Sequence, residues 1–253
     1  QFRGPHGNGH GDASGLPLKW SDTENVAWKV AIPHKGWSTP LILGNQVWLT
    51  TATEEGKEYW AYCLDHSTGK ILHEVKLFTS EAPEPLGNAL NSYASPTGFL
   101  EKGRVYLHFG SYGTACLDTT TFKELWRRTD LPCRHYRGPG SSVFPWKETL
   151  ILTMDGVDVQ YLAALDKKTG ATVWKTDRNT EYDDLDAAGK PMMEGDYRKA
   201  YSTPILIDPG GKPQLVSTGS RATVAYDPDT GKELWRARYK GFSNASLPSW
   251  VDG

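Results

Sequence analysis

The sequence predicts an all-β repeat fold built from four-stranded antiparallel units. Three observations carry that prediction. One hairpin pattern recurs, as Asp65-His66-Ser67-Thr68-Gly69 with Leu72, Asp118-Thr119-Thr120-Thr121-Phe122 with Trp126, Asp166-Lys167-Lys168-Thr169-Gly170 with Trp174, and Asp227-Pro228-Asp229-Thr230-Gly231 with Trp235. A Ser/Thr-Pro element opens a strand upstream of most copies, at Ser38-Thr39-Pro40, Ser95-Pro96 and Ser202-Thr203-Pro204. The composition, with 10 Trp, 12 Tyr, 26 Gly and 16 Pro, favours aromatic strands and many turns. The hairpin Asp residues stand 53, 48 and 61 positions apart. Four strands in roughly 40–50 residues is the period of a β-propeller blade. The excess falls in insertions at 79–91 and 179–199, where loops of repeat folds gather.

The hairpin chemistry explains its own recurrence. An Asp leaving a strand bonds backbone amides further on and starts a turn. The Gly takes a positive φ without a Cβ clash. The following strand ends on a large aromatic, suited to a half-buried sheet. Phe122 in the second copy removes the easy positive φ, so a different turn geometry is expected there. Cys63 and Cys116 occupy a position filled elsewhere by Ala164 and Ala225, which predicts inert buried thiols. Cys133 lies in a loop where a thiol could react, with no activating neighbour in sequence.

In chain order, residues 1–24 read as a wrapping loop anchored by Phe2, Leu16, Leu18 and Trp20. Residues 25–33 alternate apolar and polar and predict a closing strand. Blades are expected over 34–78, 92–130, 138–177 and 200–239, with 244–253 starting another. All belong to a single domain, 1–253. A net charge of −2 gives no global field toward nucleic acid, and no apolar run is long enough to span a membrane.

Phe2-Arg3-Gly4-Pro5, the strand Asn25–Lys29 and the Asp-x-x-Thr-Gly-x-x-x-Trp hairpin together resemble the bacterial pyrroloquinoline-quinone-like (PQQ-like) β-propeller repeat family. The resemblance covers essentially the whole chain. It implies a ring of about seven or eight blades, of which about four are present as a partial ring. It also implies export to the periplasm, and either a binding role, as in the propeller lipoprotein of outer-membrane assembly, or a quinoprotein alcohol dehydrogenase. The dehydrogenase pattern includes a vicinal Cys pair, a Trp floor under PQQ, and calcium held by Glu, Asn and Asp. This sequence has no adjacent cysteines and no matching carboxylates, so neither PQQ nor calcium is expected.

Candidate ligand-binding residues lie in the loops before each inner strand, at the mouth of the channel. They are Trp37, Asn91, Tyr93, Arg134, His135, Arg137, Arg198, Tyr201 and Asn244. Aromatic faces with forked Arg donors suit a small anionic or planar ligand, or a protein partner. His34 and His135 could titrate near neutral pH. The acidic stretch Asp177–Asp186 lacks the Gly and Glu of an EF-hand and reads as a solvated loop. No Gly-x-Ser-x-Gly elbow or zinc spacing is present. The expectation is a non-catalytic binding or scaffolding propeller. The alternative is a PQQ- and calcium-dependent dehydrogenase whose site lies mainly in other blades.

Overall fold

The computed structural model describes residues 1–87 and 89–250. Sixteen strands form four antiparallel four-stranded sheets in simple meander order among the described residues. The first blade is β1 (Leu41–Leu43), β2 (Gln46–Ala52), β3 (Glu58–Asp65) and β4 (Ile71–Thr79). The second is β5 (Phe99–Glu101), β6 (Arg104–His108), β7 (Thr114–Asp118) and β8 (Glu124–Arg128). The third is β9 (Phe144–Trp146), β10 (Thr149–Asp155), β11 (Gln160–Asp166) and β12 (Thr172–Asp177). The fourth is β13 (Ile205–Ile207), β14 (Gln214–Thr218), β15 (Ala222–Tyr226) and β16 (Glu233–Arg238). This is a partial β-propeller.

The core lies in the seams between consecutive blades. Successive side chains of a strand point to opposite faces. In β10, Leu150, Leu152 and Met154 enter the core shared with the second blade, and Ile151 enters the core shared with the fourth. In β11, Tyr161, Ala163 and Leu165 face one seam and Leu162 and Ala164 the other. Burial on both faces is why these strands read as near-continuous apolar runs.

Each hairpin turn is closed from within. Asp65 Oδ1 accepts from the amides of Ser67 and Thr68 and from the Thr68 hydroxyl, while the Gly69 amide donates to the Asp65 carbonyl at 2.8 Å. Asp118 and Asp166 accept in the same way. The Thr hydroxyl at Asp65 and Asp166, and the Thr121 amide at Asp118, lead the hydrogen bonds that hold these carboxyls below their usual range. The second copy does not adopt the different geometry expected of it. Phe122 takes φ 59°, beside 72°, 73° and 70° at Gly69, Gly170 and Gly231, and its amide makes the same bond to Asp118. The closed Asp turn outweighs the cost of a left-handed residue.

The aromatic after the turn joins neighbouring blades. The Trp126 indole donates to the Lys167 carbonyl at 3.0 Å, and a Cβ on Gly170 would meet its ring at 2.6 Å. Trp174 repeats this on the Pro228 carbonyl and Gly231. Arg128 and Thr176, two residues on, donate to the Gly170 and Gly231 carbonyls. His73, not Leu72, holds the tryptophan position of the first blade: it stands eight residues after Asp65, as Trp126 stands eight after Asp118, and it pairs with Cys63 as Trp126 pairs with Cys116. His73 stacks on Phe122 with centroids 4.6 Å apart and planes 8° off parallel. The missing Trp and the missing Gly are thus the two halves of one contact.

Two expectations for the first 33 residues are corrected. Residues 25–33 form no strand, since no backbone ladder reaches them. The segment is held instead by Trp28, which donates to the His66 carbonyl at 2.8 Å and covers Gly69 as Trp126 covers Gly170. Leu16, Leu18 and Trp20 are not anchors. They stand 65%, 96% and 62% exposed because no blade face lies opposite them.

Around the inner side a chain of hydroxyls links the blades. The amide of Thr39 donates to the Thr97 hydroxyl, that of Thr97 to Ser142, and that of Ser142 to Thr203, at 2.8, 3.0 and 2.9 Å. This is the physical content of the Ser/Thr element that opens each inner strand.

Candidate functional site

The loops entering the inner strands lie on the face opposite the Asp turns, together with the loops joining second and third strands. The first insertion folds across this face as a strap. Glu84 anchors it. Its amide donates to the Tyr112 hydroxyl, its carbonyl accepts from Tyr93 at 2.8 Å, and its carboxylate accepts from the Tyr136 amide at 2.9 Å and pairs with Arg134 at 3.3 Å. Further along, Gly87 accepts from Arg137 at 2.8 Å, Ala89 from Lys35, and Leu90 from the Trp37 indole at 3.1 Å. Beneath it Tyr59, Tyr93, Tyr112 and Phe109 pack ring against ring.

Most of the nine predicted residues are therefore engaged by the protein itself. Trp37, Tyr93, Arg134 and Arg137 hold the strap, and the Asn91 amide donates to the Arg137 carbonyl. Arg198 makes a forked pair with the buried Asp184, at 2.8 Å to each oxygen, and lies over the Tyr182 ring. Asn244 donates to the Gly219 carbonyl at 2.7 Å. His135 is not a near-neutral switch. It is buried against Gly110, its Nε2 accepts from the Ser111 amide at 3.0 Å, and burial pulls its pKa down to about 4. The acceptor role of Nε2 places the proton on Nδ1, which faces the Cys133 sulfur at 3.6 Å. Cys133 is itself buried and its thiol pushed up by desolvation, so the loop position did not leave it open to reaction. Cys63 and Cys116 are buried and raised to about 12 by desolvation.

The structure does bring Asn91, Arg137 and Tyr201 together. With Phe2, Gly140, Thr203, Ala245 and Leu247 they line a cavity of about 300 Å³. The Tyr201 hydroxyl donates to the His135 carbonyl at 3.2 Å, leaving its ring as a wall. Phe2, Thr203 and Leu247 also border a larger cleft of about 650 Å³ between residues 1–10 and the inner strands of the third and fourth blades.

A buried ion pair between the third and fourth blades carries no signal in the sequence. Arg178 donates to both Asp155 oxygens, at 2.6 and 2.7 Å, and to the Ser217 hydroxyl at 2.7 Å, with both ionic side chains 1% exposed. Burial raises the Asp155 carboxyl and the guanidinium opposes it. Nothing local in sequence marks this pair, since its members are 23 residues apart on different strand ends. Glu84 was hidden in the same way inside an insertion.

A PQQ–calcium centre does not fit the residues present. Among the described residues no group of three or more His, Cys, Asp and Glu side chains comes together to hold a metal ion. The three cysteines are separate and free. The acidic stretch spends Glu181 on Arg238 and Asp184 on Arg198.

Hairpin, blade and seam define a partial β-propeller. Residues 158–252 match the family model described as outer membrane protein assembly factor BamB, and the repeats of the chain resemble those of PQQ-like propellers. Solved structures of similar fold include a europium-containing methanol dehydrogenase, at 15% identity and TM-score 0.57 over 80% of this chain and 41% of that one. They also include the quinohemoprotein alcohol dehydrogenase ADHIIG of Pseudomonas putida HK5, at 16% identity and TM-score 0.58 over 85% of this chain and 36% of that one. The quinohemoprotein alcohol dehydrogenase of Comamonas testosteroni aligns at 16% identity and TM-score 0.57, over 82% and 35%. At such identities the likeness is one of fold, and the chain spans about two fifths or less of these proteins. No curated protein matches the chain significantly. No helix among the described residues is long and apolar enough to cross a membrane.

Proposed function

We propose that the chain is a non-catalytic binding or scaffolding propeller of the PQQ-like family, exported to the periplasm, which takes a small ligand or a protein partner at the channel mouth. The observation that supports this reading is how the polar groups on that face are used. Arg134, Arg137, Arg198, Asn244 and His135 are held in structural pairs, and the tyrosines pack under a strap. A reacting site needs a nucleophile, base or metal set poised around free space. The space here is bordered instead by Asn91, Arg137, Tyr201 and Phe2, which suit recognition.

The rival reading is a PQQ- and calcium-dependent alcohol dehydrogenase whose ligands lie outside this chain, favoured by fold likeness to such enzymes. Incubating the purified protein with PQQ, calcium, an alcohol and an electron-accepting dye separates the two. The binding reading expects no dye reduction above the protein-free rate. Saturable, alcohol-dependent reduction would replace it with the dehydrogenase.

A further inference from the structure

The larger cleft has a chemistry that the channel-mouth loops did not predict. Its floor is apolar, formed by Phe144, Ile205, Leu206 and Leu247. Its rim is the loop 1–10, and this loop has a defined shape. Gly4, Gly7 and Gly9 take positive φ of 80°, 66° and 80°, and the Gly9 amide donates to the Arg3 carbonyl at 3.0 Å. The loop so closed sets Arg3, His6 and His10 around one opening. Arg3 itself is held at φ 59°, a left-handed conformation that strains an L-residue. Its guanidinium has no hydrogen-bond or ion-pair partner among the described residues, and neither has the His10 ring. His6 meets Asp12 at 3.7 Å on the outside. Among the described residues no Asp or Glu lines the cleft, although the chain as a whole carries a net charge of −2.

We propose that this cleft binds an organic carboxylate with an apolar body, the body on the inner strands and the carboxylate on the Arg3 fork, with His10 as a second donor. A volume of about 650 Å³ admits a ligand of two or three rings or a medium acyl chain. A planar guanidinium matches a carboxylate with two parallel N–H···O bonds. Its described lining holds no carboxylate or cysteine, unlike the set that a quinone–calcium centre needs. The inference rests on the binding-module reading, and its test is independent of dye reduction.

The test is calorimetric titration of the protein with 2-naphthoate and with the neutral isostere 2-naphthamide. One saturable site is expected, with naphthoate about tenfold or more tighter, the value of a charge-assisted hydrogen bond. Arg3→Gln should remove that preference and leave naphthamide within about twofold, and His10→Gln should reduce it in part. Leu206→Trp should weaken both ligands by filling the floor. Thermal melts of each variant establish that it is folded. Equal binding of acid and amide, an unchanged preference in Arg3→Gln, or no saturable heat would overturn the carboxylate site while leaving the binding-module reading standing. Turnover of dye would instead overturn the module.

Discussion

Two kinds of seam join these blades. Between the second and third, and between the third and fourth, a tryptophan lies on the glycine of the next turn and donates to a carbonyl beside it. Between the first and second, a histidine lies flat on a phenylalanine and makes no such bond. The backbone is the same in both, down to the left-handed residue. The volume lost on one blade is restored on the other. In this chain the repeat is kept as a contact between blades, and at the one seam that departs from it both halves differ.

The largest effects should come from the tryptophan seams. Trp126→Ala or Trp174→Ala, each 8% exposed, should cost about 3–5 kcal/mol in urea unfolding, as large aromatic deletions do. Removing Arg178 should cost about the same, because it strands the buried Asp155 carboxylate in the third-fourth seam. Stability of Arg178→Met compared with Arg178→Met/Asp155→Leu checks this, the double variant being the more stable.

Acid should weaken the second-third seam next. His135 is buried neutral with its pKa lowered from 6.5 to about 4, and His108 to about 3, desolvation being the main cause for both. The unfolded chain takes up protons below pH 6.5 that the folded chain refuses. This contribution is complete above pH 6.5 and is lost as pH falls toward 4. For His135 alone the loss is about 3 kcal/mol at about 1.36 kcal/mol per unit. Unfolding free energies at pH 7.5, 5.5 and 4.5 should fall steeply, and His135→Gln should flatten the slope.

The seams can also be exchanged. His73→Trp alone should cost about 1–3 kcal/mol by overpacking against Phe122. Adding Phe122→Gly should recover most of it, a coupling of about 1–3 kcal/mol in a double-mutant cycle. Additive losses would mean that the two residues are independent. The smallest effects belong to the outer tryptophans. Trp28→Ala should cost about 1 kcal/mol because its segment has no ladder. Trp235→Ala, 39% exposed and bonded only to Gln214 of its own blade, should fall within about 0.5 kcal/mol.

The fold was legible because its signals are local. Asp, Thr and Gly within five residues specify a turn, and strand alternation specifies a face. The His73–Phe122 pairing was half visible, since Phe122 stood out while its partner was assigned one residue early. His73 stands eight residues after Asp65, the spacing at which the other three copies carry Trp. The site was less legible. The aromatics and cations before the inner strands can be picked out from the repeat, yet the groups that consume them, Glu84 and Asp184, sit in insertions whose paths no repeat dictates. Arg3 was read as part of a family signature, and its free guanidinium only emerges once Gly4, Gly7 and Gly9 have bent the loop.

The hydroxyl chain from Thr39 to Thr203 has a direction. Every link takes an amide of one blade to a side-chain oxygen of the next, never the reverse. Damage therefore travels backwards. Ser142→Ala would leave its own amide satisfied by Thr203 and orphan the amide of Thr97, one blade upstream. The fault would be felt by a residue whose own codon is intact. In such an array each blade is guarantor for its predecessor, and a blade copied or exchanged must bring the hydroxyl that its new neighbour needs.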